Sequence, residues 1–584
     1  MCRQIRPAHL GLWALLTALT VLAGCSSRAN VSMTGATDAQ VQSAYVTVQA
    51  VWLNKSATAL PTDTGWVGGQ LATPLTLDLA NITGTALTEL LANQLLTPGT
   101  YNQLQLVLAD PSMTLTTSAQ AAGLSTNAEV TYLDSTGAAQ TVPLELANPN
   151  GILVIPAVIS ITNGSLASYF AAPTSGLTST DSTTATTTTT TSTTATDTTG
   201  STTGDTATTS TAASTVTLAA DIQAVRGLVL FNYGSAVGAL LSPTLAAYNT
   251  TNAGGLSGNL DLTAVSSDVL TGDQGIVATA ELLSADGSRY VGVKSVNVSA
   301  GGTFSIYPLP VASSGTTNYD LVIHGPSIQT IIITAIPVTS GTLDTTVSVQ
   351  PDAITVAAAS GYTVNTATGT AIAGGTTLNF YQSLPADSAP HLVESAQLNP
   401  FTRGLPMDLS LSSAPLSYGA YTGSDVALTL AAPQTGNGNF LLQTEAPWGG
   451  AASMSSAVAV SQNTAFTTTP ISPPAPALPA GSNQGTLTGT VTFTTAGEYD
   501  SGFVVISHNG QVIDAVDLTT LASGSPTSVS FTDLLPSENA DATYDVTVRT
   551  WNSADPTTTL VRTAATTQVD LRASTAQSLS IAVP

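Results

Sequence analysis

Residues 45–53, Tyr-Val-Thr-Val-Gln-Ala-Val-Trp-Leu, decide the fold class because their side chains alternate between two faces of an extended chain. Val46, Val48 and Trp52 would lie on one face, and Thr47 would lie on the other. A period of two residues is typical of a β-strand that is buried on one side. The stretch therefore predicts a half-buried strand near the N-terminus.

Similar segments follow along the chain. In residues 101–108, Leu104, Leu106 and Leu108 share one face of a second predicted strand. The apolar run 330–338 is too short to span a membrane, which takes about 20 apolar residues, and it predicts a buried strand.

Turn residues separate these segments. Glycine after asparagine or aspartate suits the tight turns of β-hairpins. One short helix is predicted at 86–96, where Pro98 and Gly99 would end it. The whole pattern predicts an all-β chain of serial β-sandwich domains. Hairpin turns are expected at Ser135-Thr136-Gly137, Ala285-Asp286-Gly287 and His508-Asn509-Gly510-Gln511.

The composition limits the possible partners. The 584-residue chain has a formal net charge of −24, and only 8% of its residues are charged. Nucleic-acid binding depends on neutralising phosphates with lysine and arginine, so this chain is not expected to bind nucleic acid. Cys2 and Cys25 are the two cysteines, and loss of Cys2 with a signal peptide would leave no disulfide in a mature monomer.

The first 24 residues have the pattern of an export signal, with Arg3 and Arg6 ahead of the apolar run 10–22. Leu22-Ala23-Gly24-Cys25 then resembles the lipobox of bacterial lipoproteins. The resemblance implies cleavage before Cys25, acyl chains on that cysteine, and a membrane as partner. Two or more acyl chains hold a protein stably to a bilayer. The alternative is an ordinary secretory signal followed by a chance cysteine.

Ser26 follows the cysteine, where aspartate would suggest retention in the inner membrane. We therefore expect a lipid anchor in the bacterial outer membrane, with the side of that membrane left open. Residues 25–30 are predicted to form a short lipidated tether.

The first domain is predicted at 31–250, and several of its motifs resemble domain-of-unknown-function family 4382, found in exported bacterial proteins. Their order along about 220 residues carries the resemblance, which implies no known reaction and no catalytic residue. One departure is Gln40, where the family commonly has proline. The matching stretches are Thr37–Ala39, Tyr45–Val48, Leu77–Leu79, Leu96–Tyr101, Ile152–Ile161, Asp221–Arg226 and Leu240–Pro243.

Residues 174–215 are almost entirely Thr, Ser, Ala, Asp and Gly. Such a tract has too little apolar surface to offset the entropy of ordering. Because the family resemblance continues after it, the tract is predicted to be a disordered insertion between two neighbouring strands of the first domain. The alternative is a true linker between two domains.

The remaining chain is divided into a sandwich at 255–350, a third at 351–469 with uncertain boundaries, a Pro-rich linker at 470–484 and a last sandwich at 485–584. Four short stretches stand out in the sandwiches at 255–350 and 485–584, namely Gly302–Phe304, Tyr319–Val322, Phe531–Leu534 and Tyr544–Val546. They resemble carboxypeptidase regulatory-like β-sandwiches.

Few residues indicate chemistry. His324, His391 and His508 fall in three predicted domains without metal-ligand spacing, so they are interpreted as structural. The acidic cluster Asp533, Glu538, Asp541 and Asp545 is a weak calcium candidate, since calcium takes six to eight oxygen ligands, and a solvated loop is the simpler interpretation. No cofactor motif is present, so no cofactor is predicted.

Four tryptophans, Trp52, Trp66, Trp448 and Trp551, could stack on sugars if exposed, although burial in a core is the more frequent reason for such residues. The sequence favours a lipid-anchored envelope or cell-surface protein with a non-catalytic adhesion, matrix or scaffold role. The alternative is an array of carbohydrate- or peptide-binding modules with an extracellular glycan or protein ligand. An unrecognised hydrolase is the third hypothesis.

Overall fold

The structure is a computed structural model that describes residues 27–583 except for 162–214, 467–484 and shorter gaps. The predicted signal peptide, Cys25, most of the Thr-rich tract and the whole Pro-rich linker lie outside the described residues. The shorter gaps are 38–39, 83–86, 135, 149, 225–226, 234–235, 266–274, 313–314, 341–346, 351, 360, 364, 367–375, 386, 388, 399–400, 402–409, 413–414, 432–438, 446–453, 456, 460–464, 494–500, 519–526, 536–541, 553–561, 573 and 575.

The regular secondary structure of the described residues is nearly all β-strand, which confirms the all-β prediction with several separate sheets. Their helical segments are a short α-helix, α1 at Thr117–Ala121, and a 3₁₀ turn at Thr250–Asn252. None of the described helices is long and apolar enough to cross a membrane.

The first unit consists of strands β1 to β12 and packs two sheets face to face. One sheet has the order β12-β9-β1-β4, and the other has the order β10-β11-β7-β6-β2-β5-β8 with β3 also paired to β2. The strands are β1 Ser27–Thr37, β2 Val41–Asn54, β3 Val67–Asp78, β4 Thr88–Leu96, β5 Gly99–Leu108, β6 Glu129–Leu133, β7 Ala139–Leu146, β8 Ile152–Ile161, β9 Thr215–Ala224, β10 Leu228–Tyr233, β11 Ala236–Leu241 and β12 Thr244–Asn249.

Residues 45–53, which predict the fold class, lie in β2, but the side chains that face the core change from even-numbered to odd-numbered positions halfway along the stretch. A β-bulge shifts the register between Val48 and Ala50. Before the bulge Val46 and Val48 are buried, and after it Val51 and Leu53 are buried while Trp52 is partly exposed. An extra residue in one strand moves the following side chains to the opposite face. The predicted placement of Trp52 with Val46 is therefore wrong.

The helix predicted at 86–96 is also wrong, because Thr88–Leu96 forms strand β4 and pairs antiparallel with β1. Leu90 and Leu96 bury their side chains in the core that the two sheets share. Pairing along an open edge of that core outweighs the helical propensity of a short leucine-rich segment. Residues 27–30, predicted as tether, already belong to β1, which pairs with both β4 and β9.

The Thr-rich tract connects β8 to β9, and strands on both sides of it contribute to the same core. Strand β9 runs parallel to β1 from Thr215 to Ala224. The two strands that flank the tract are consecutive, but they lie in different sheets of the first unit rather than side by side.

The second unit consists of β13 to β19, and one of its sheets is buried on both faces. In strand β18, Ile331 and Ile333 face one core, whereas Ile332 faces another core that the third unit completes. Burial on both faces explains why three isoleucines follow one another at 331–333 and confirms the run 330–338 as a buried strand. The strands are β13 Ala253–Asp261, β14 Val277–Leu283, β15 Tyr290–Asn297, β16 Thr303–Pro310, β17 Thr316–His324, β18 Ile331–Thr339 and β19 Val347–Ser348.

The third unit, β20 to β29, is interleaved with the second. Strand β26 extends the sheet order β15-β14-β17-β18-β26, and β20 pairs with β13. Its own four-stranded sheet has the order β24-β23-β27-β28. The strands are β20 Ile354–Thr355, β21 Gly361–Thr363, β22 Asn365–Thr366, β23 Thr377–Gln382, β24 His391–Gln397, β25 Ser410–Ser412, β26 Ser417–Ala420, β27 Asn439–Glu445, β28 Val458–Ala459 and β29 Ala465–Phe466.

The last unit, β30 to β36, packs the sheet β33-β30-β36 against β32-β31-β34-β35. Asn509 and Gly510 turn the β31–β32 hairpin with φ values of 53° and 90°, which confirms the predicted Asn-Gly turn. The strands are β30 Gly485–Phe493, β31 Ser501–His508, β32 Gln511–Asp517, β33 Thr527–Leu534, β34 Thr543–Trp551, β35 Arg562–Asp570 and β36 Ala576–Val583.

Candidate functional site

The residues with the most unusual environments lie where the units meet. Arg549 on β34 and Glu145 on β7 form a buried ion pair between the last unit and the first. Arg549 Nη1 donates to Glu145 Oε2 at 2.8 Å, and Nη2 donates to the Leu146 carbonyl at 2.6 Å. Burial raises the pKa of Glu145, and the Arg549 charge opposes part of that shift. Because removing two charges from water is costly, this pair contributes more to the specificity of the junction than to its stability.

The same junction contains a small polar cleft. Asn148 Nδ2 donates to Asp545 Oδ2 at 2.9 Å, and burial raises the pKa of Asp545 to about 6. The cavity volume is about 30 Å³, which is enough for roughly two water molecules. Its lining includes Gln103, Asn148, His508, Asn509, Asp545 and Gln568.

Aromatic side chains from three units pack beside the Arg549–Glu145 ion pair. Phe503 of the last unit lies 5.1 Å from Phe231 of the first and 4.8 Å from Phe401 of the third, measured between ring centroids. Both contacts have the edge-to-face geometry that aromatic quadrupoles favour. Trp551 belongs to the same buried cluster. The first, third and last units therefore share one apolar contact region.

The second unit meets the first through another buried ion pair. Lys294 on β15 places its Nζ 2.6 Å from Oδ2 of Asp221 on β9, and both side chains are fully inaccessible to solvent. Gln223 Nε2 donates to the same carboxylate oxygen at 2.9 Å. The side-chain amide of Asn297 also donates to the Thr37 carbonyl across this junction.

The second and third units meet around His391, the first residue of β24. Its Nδ1 lies 3.1 Å from Glu281 Oε2 on β14 and 3.9 Å from Asp320 Oδ2 on β17. Its Nε2 lies 3.3 Å from Asp387 Oδ2, and the Tyr290 ring stacks on the imidazole at 4.0 Å. Three carboxylates facing two ring nitrogens favour the doubly protonated imidazolium.

These groups shift one another's protonation. Burial raises the pKa of Glu281 to about 7, although the hydrogen bond and charge of His391 oppose this shift. Burial alone lowers the pKa of His391, but Glu281, Asp320 and Asp387 together raise it above its usual value. Burial also raises the pKa of Asp320. Clusters of shifted acids and bases often mark functional sites, and in this protein the cluster closes a junction between units.

The histidines predicted as structural are all placed on strands. His324 Nε2 lies 4.0 Å from Glu394 Oε2, on the same β17–β24 contact that includes His391. Two of the three histidines thus lie at one junction, although they were predicted in separate domains. His508 Nδ1 donates to the Thr543 carbonyl oxygen, 2.7 Å away.

The weak calcium candidates are not brought together within the described residues. Asp545 lies on β34 in the polar cleft, where its described partner is Asn148. Asp533 lies in β33, and Glu538 and Asp541 fall in an undescribed gap. Across the described part of the chain, no three His, Cys, Asp or Glu residues are arranged to hold a metal ion.

The possible sugar-stacking tryptophans are only partly described. Trp551 is buried in the junction, Trp52 and Trp66 are partly exposed, and Trp448 lies outside the described residues. Trp66 donates its indole N–H to the Leu60 carbonyl at 2.9 Å.

The sequence interpretation missed Arg549 and Lys294. A signal was available, because the chain has only 11 lysines and arginines, and these two lie in the valine-rich segments Tyr290–Asn297 and Thr543–Trp551. A rare cation within a buried strand calls for a buried partner, since such a charge is rarely left uncompensated. The sequence does not identify that partner, because Glu145 lies 404 positions away.

Residues 26–148 match the model of a protein family described as domain of unknown function (DUF4382). This match confirms the N-terminal resemblance over strands β1 to β7. The predicted continuation to residue 250 lies beyond the matched residues. No curated protein matches the chain.

Two solved structures show a distant similarity. A tetra-tandem repeat from the extending region of a large adhesion protein is 11% identical, with 93% of this chain and 100% of that chain covered and a TM-score of 0.11. The pilus adhesin SpaC from Lactobacillus rhamnosus GG is 12% identical, with 60% and 45% covered and a TM-score of 0.13. TM-scores this low do not indicate a shared arrangement of strands.

Proposed function

We propose that this protein is a lipid-anchored envelope or cell-surface protein with a non-catalytic role in adhesion, matrix assembly or scaffolding. The observation that carries the proposal is the use of ionisable side chains at the junctions. Arg549, Lys294 and His391 each join two units through a buried carboxylate. A chain with so few cations that places them between its units favours a defined multi-unit arrangement, as a scaffold requires.

The proposed anchor is the acylated Cys25, in an outer membrane. Strand β1 begins at Ser27, so the first unit would follow the lipid almost directly and sit close to the bilayer surface. The Cys25→Ser variant tests the anchor, because serine cannot carry the lipid thioether. We expect the wild-type protein in the membrane fraction and the variant in the soluble fraction. Equal membrane recovery of both would remove the anchor from the proposal.

The role itself is tested with a deletion strain that is complemented by the wild-type gene. We expect weaker attachment to surfaces or greater sensitivity to detergent, restored by the wild type and not by Cys25→Ser. Protease shaving of intact cells, with antibodies against the last unit, separates the two locations. Loss of signal from intact cells would favour adhesion, and protection would favour a periplasmic scaffold. Unchanged attachment and envelope integrity would contradict the proposal.

A second candidate function, ligand binding, is favoured by the polar cleft between the first and last units. Gln103, Asn148 and Asp545 converge there with Gln568, and such planar polar groups can orient a polar ligand. A cleft of about 30 Å³ can accept a small polar group at the end of a ligand, but not a whole sugar ring. A glycan array with the complete protein tests this candidate, and an array without signal would remove its sugar-binding form.

A further inference from the structure

We propose that Lys294 and Asp221 react with each other to form an isopeptide bond that covalently joins the second unit to the first. Lys294 Nζ lies 2.6 Å from Asp221 Oδ2. An N···O contact of 2.6 Å keeps the amine nitrogen within about 4 Å of the carboxyl carbon, close to the separation of about 3 to 3.5 Å that a near-attack geometry requires. The bond would form between Nζ and that carbon.

The surroundings of the pair exclude water and disfavour its charges. Both side chains have no accessible surface, and the β9 strand that carries Asp221 lies between β1 and β12. An isolated ion pair in such a medium loses most of its solvation. Transfer of a proton from the ammonium to the carboxylate relieves that cost and yields the neutral amine and carboxylic acid that condensation requires.

The step balances without an oxidant or a cofactor. The neutral amine attacks the Asp221 carboxyl carbon, a carbon–nitrogen bond forms, and one carbon–oxygen bond breaks. The departing oxygen takes up the hydroxyl proton and one proton from the amine, so one water molecule leaves. Gln223 Nε2, which donates to Oδ2 at 2.9 Å, is placed to stabilise negative charge that develops on that oxygen.

The second carboxylate oxygen and a tyrosine hydroxyl complete the arrangement. Asp221 Oδ1 and the Tyr248 hydroxyl are both buried, and neither has a hydrogen-bond partner among the described residues. Ala246 pairs with Asp221 across β12 and β9, so Tyr248, two residues farther on, shares a sheet face with Asp221. Oδ1 is therefore the oxygen free to leave, and the Tyr248 hydroxyl lies on the same sheet face without a hydrogen bond to it.

The other cation buried at a junction provides a contrast. Arg549 makes a comparable contact with Glu145 at 2.8 Å, but a guanidinium has no free amine and stays protonated. Lysine is the residue type whose neutral form attacks carbonyl carbons. The chain has two lysines, Lys55 and Lys294, and Lys55 donates to the Pro98 carbonyl at an exposed site. Only Lys294 combines a nucleophilic nitrogen with a buried carboxyl group.

Peptide mass spectrometry of the complete folded protein tests the bond. Cleavage before aspartate should yield peptide 205–260 joined to peptide 286–319, lighter than their sum by one water molecule, because a modified Asp221 is no longer a cleavage site. The Lys294→Arg variant keeps the positive charge and should yield the two regions separately. A wild-type digest in which residues 205–220 and 286–319 appear only as unlinked peptides would overturn the proposal, whether or not the variant folds.

A second readout separates catalytic assistance from simple proximity. Gln223→Leu removes the donor to Oδ2 and should slow the appearance of the linked peptide at least tenfold after refolding, while Tyr381→Phe, in the third unit, should not. Equal rates for wild type and Gln223→Leu would remove the role of Gln223 and leave the bond itself to the mass measurement. An unlinked wild type would contradict the bond without touching the scaffold proposal, which is tested in cells.

Discussion

Two junctions of this molecule each bury a carboxylate, but they pair it with different cations. Between the first and last units, Arg549 contacts Glu145 across 404 positions of sequence. Between the second and third units, His391 contacts Glu281 across 110 positions, with Asp320 and Asp387 nearby. Both clusters are buried, and both use a carboxylate that would be costly to bury alone.

The difference lies in whether the positive partner can lose its charge. A guanidinium remains protonated at any physiological pH, whereas an imidazole changes its charge between about pH 5 and 8. The junction of the first and last units is therefore held by a permanent cation. The junction of the second and third units depends on protons, so the two should respond differently to mutation and to pH.

The largest expected effect is that of Arg549→Met. Methionine fills much of the same volume but leaves Glu145 and the Leu146 carbonyl without their donor. Leaving one member of a buried ion pair unpaired costs about 3 to 5 kcal/mol. Urea unfolding should therefore show a separate, earlier transition of the last unit.

The matched control is Arg572→Ala in the same unit. Arg572 pairs with Asp570 at 2.7 Å and donates to the Thr58 carbonyl of the first unit at 3.1 Å, but the side chains of this pair are partly exposed. Exposed pairs contribute about 0 to 1 kcal/mol, so this variant should unfold almost as the wild type does. If both arginine variants unfolded alike, the first–last junction would not depend on its buried pair.

The second effect is a loss of stability with rising pH at the His391 junction. Burial raises the pKa of Glu281 to about 7, above its unfolded value, and the surrounding carboxylates raise that of His391. A raised pKa means that the folded state binds more protons than the unfolded state. The resulting stability is fully present below pH 4.5 and is lost as pH rises through 7, by about 3 kcal/mol for Glu281 alone.

The Glu281→Gln variant tests the origin of this pH dependence. Glutamine keeps the shape and one acceptor oxygen but does not titrate, so the fall in unfolding free energy between pH 5 and 8 should shrink by about half. The other groups that face His391 remain, namely Asp320, Asp387 and Tyr290. An unchanged pH profile would assign the dependence to other groups with raised pKa values, namely His391 and Asp320 at this junction or Asp545 and Glu145 at the other.

The strands of both junctions were largely predictable, because period-two alternation and Asn-Gly turns are local properties. Alternation failed at Val48, where the bulge reverses the faces of β2. The helix prediction at 86–96 failed because residues 88–96 pair with the edge of β1 instead. Both failures have one physical cause, which is that tertiary pairing overrides a local preference worth a fraction of a kcal/mol per residue.

The candidate site was far less predictable than the fold. The family resemblance in the first unit is confirmed over residues 26–148, but it indicated no site. Glu145 and Arg549 meet through the docking of two units, and no spacing in the sequence encodes that contact. His391 was interpreted as structural from its sequence, and its partners Glu281 and Asp320 come from a domain predicted to be separate.

The smallest expected effect is the difference in stability loss between alanine substitutions at two hairpin glycines. Gly510 has a φ of 90°, and a Cβ at this position would meet Leu153 Cδ2 of the first unit. Gly287 has a φ of 69°, and a Cβ there would have no neighbour within 4 Å. Alanine at either position pays about 1 kcal/mol for the left-handed backbone. Only Gly510→Ala must also displace a buried leucine across the first–last junction, at about 1 kcal/mol more.

Urea unfolding of both variants measures that excess. Equal losses would mean that the hairpin does not press on the first unit, and that the Arg549 pair holds this junction without help from the turn beside it.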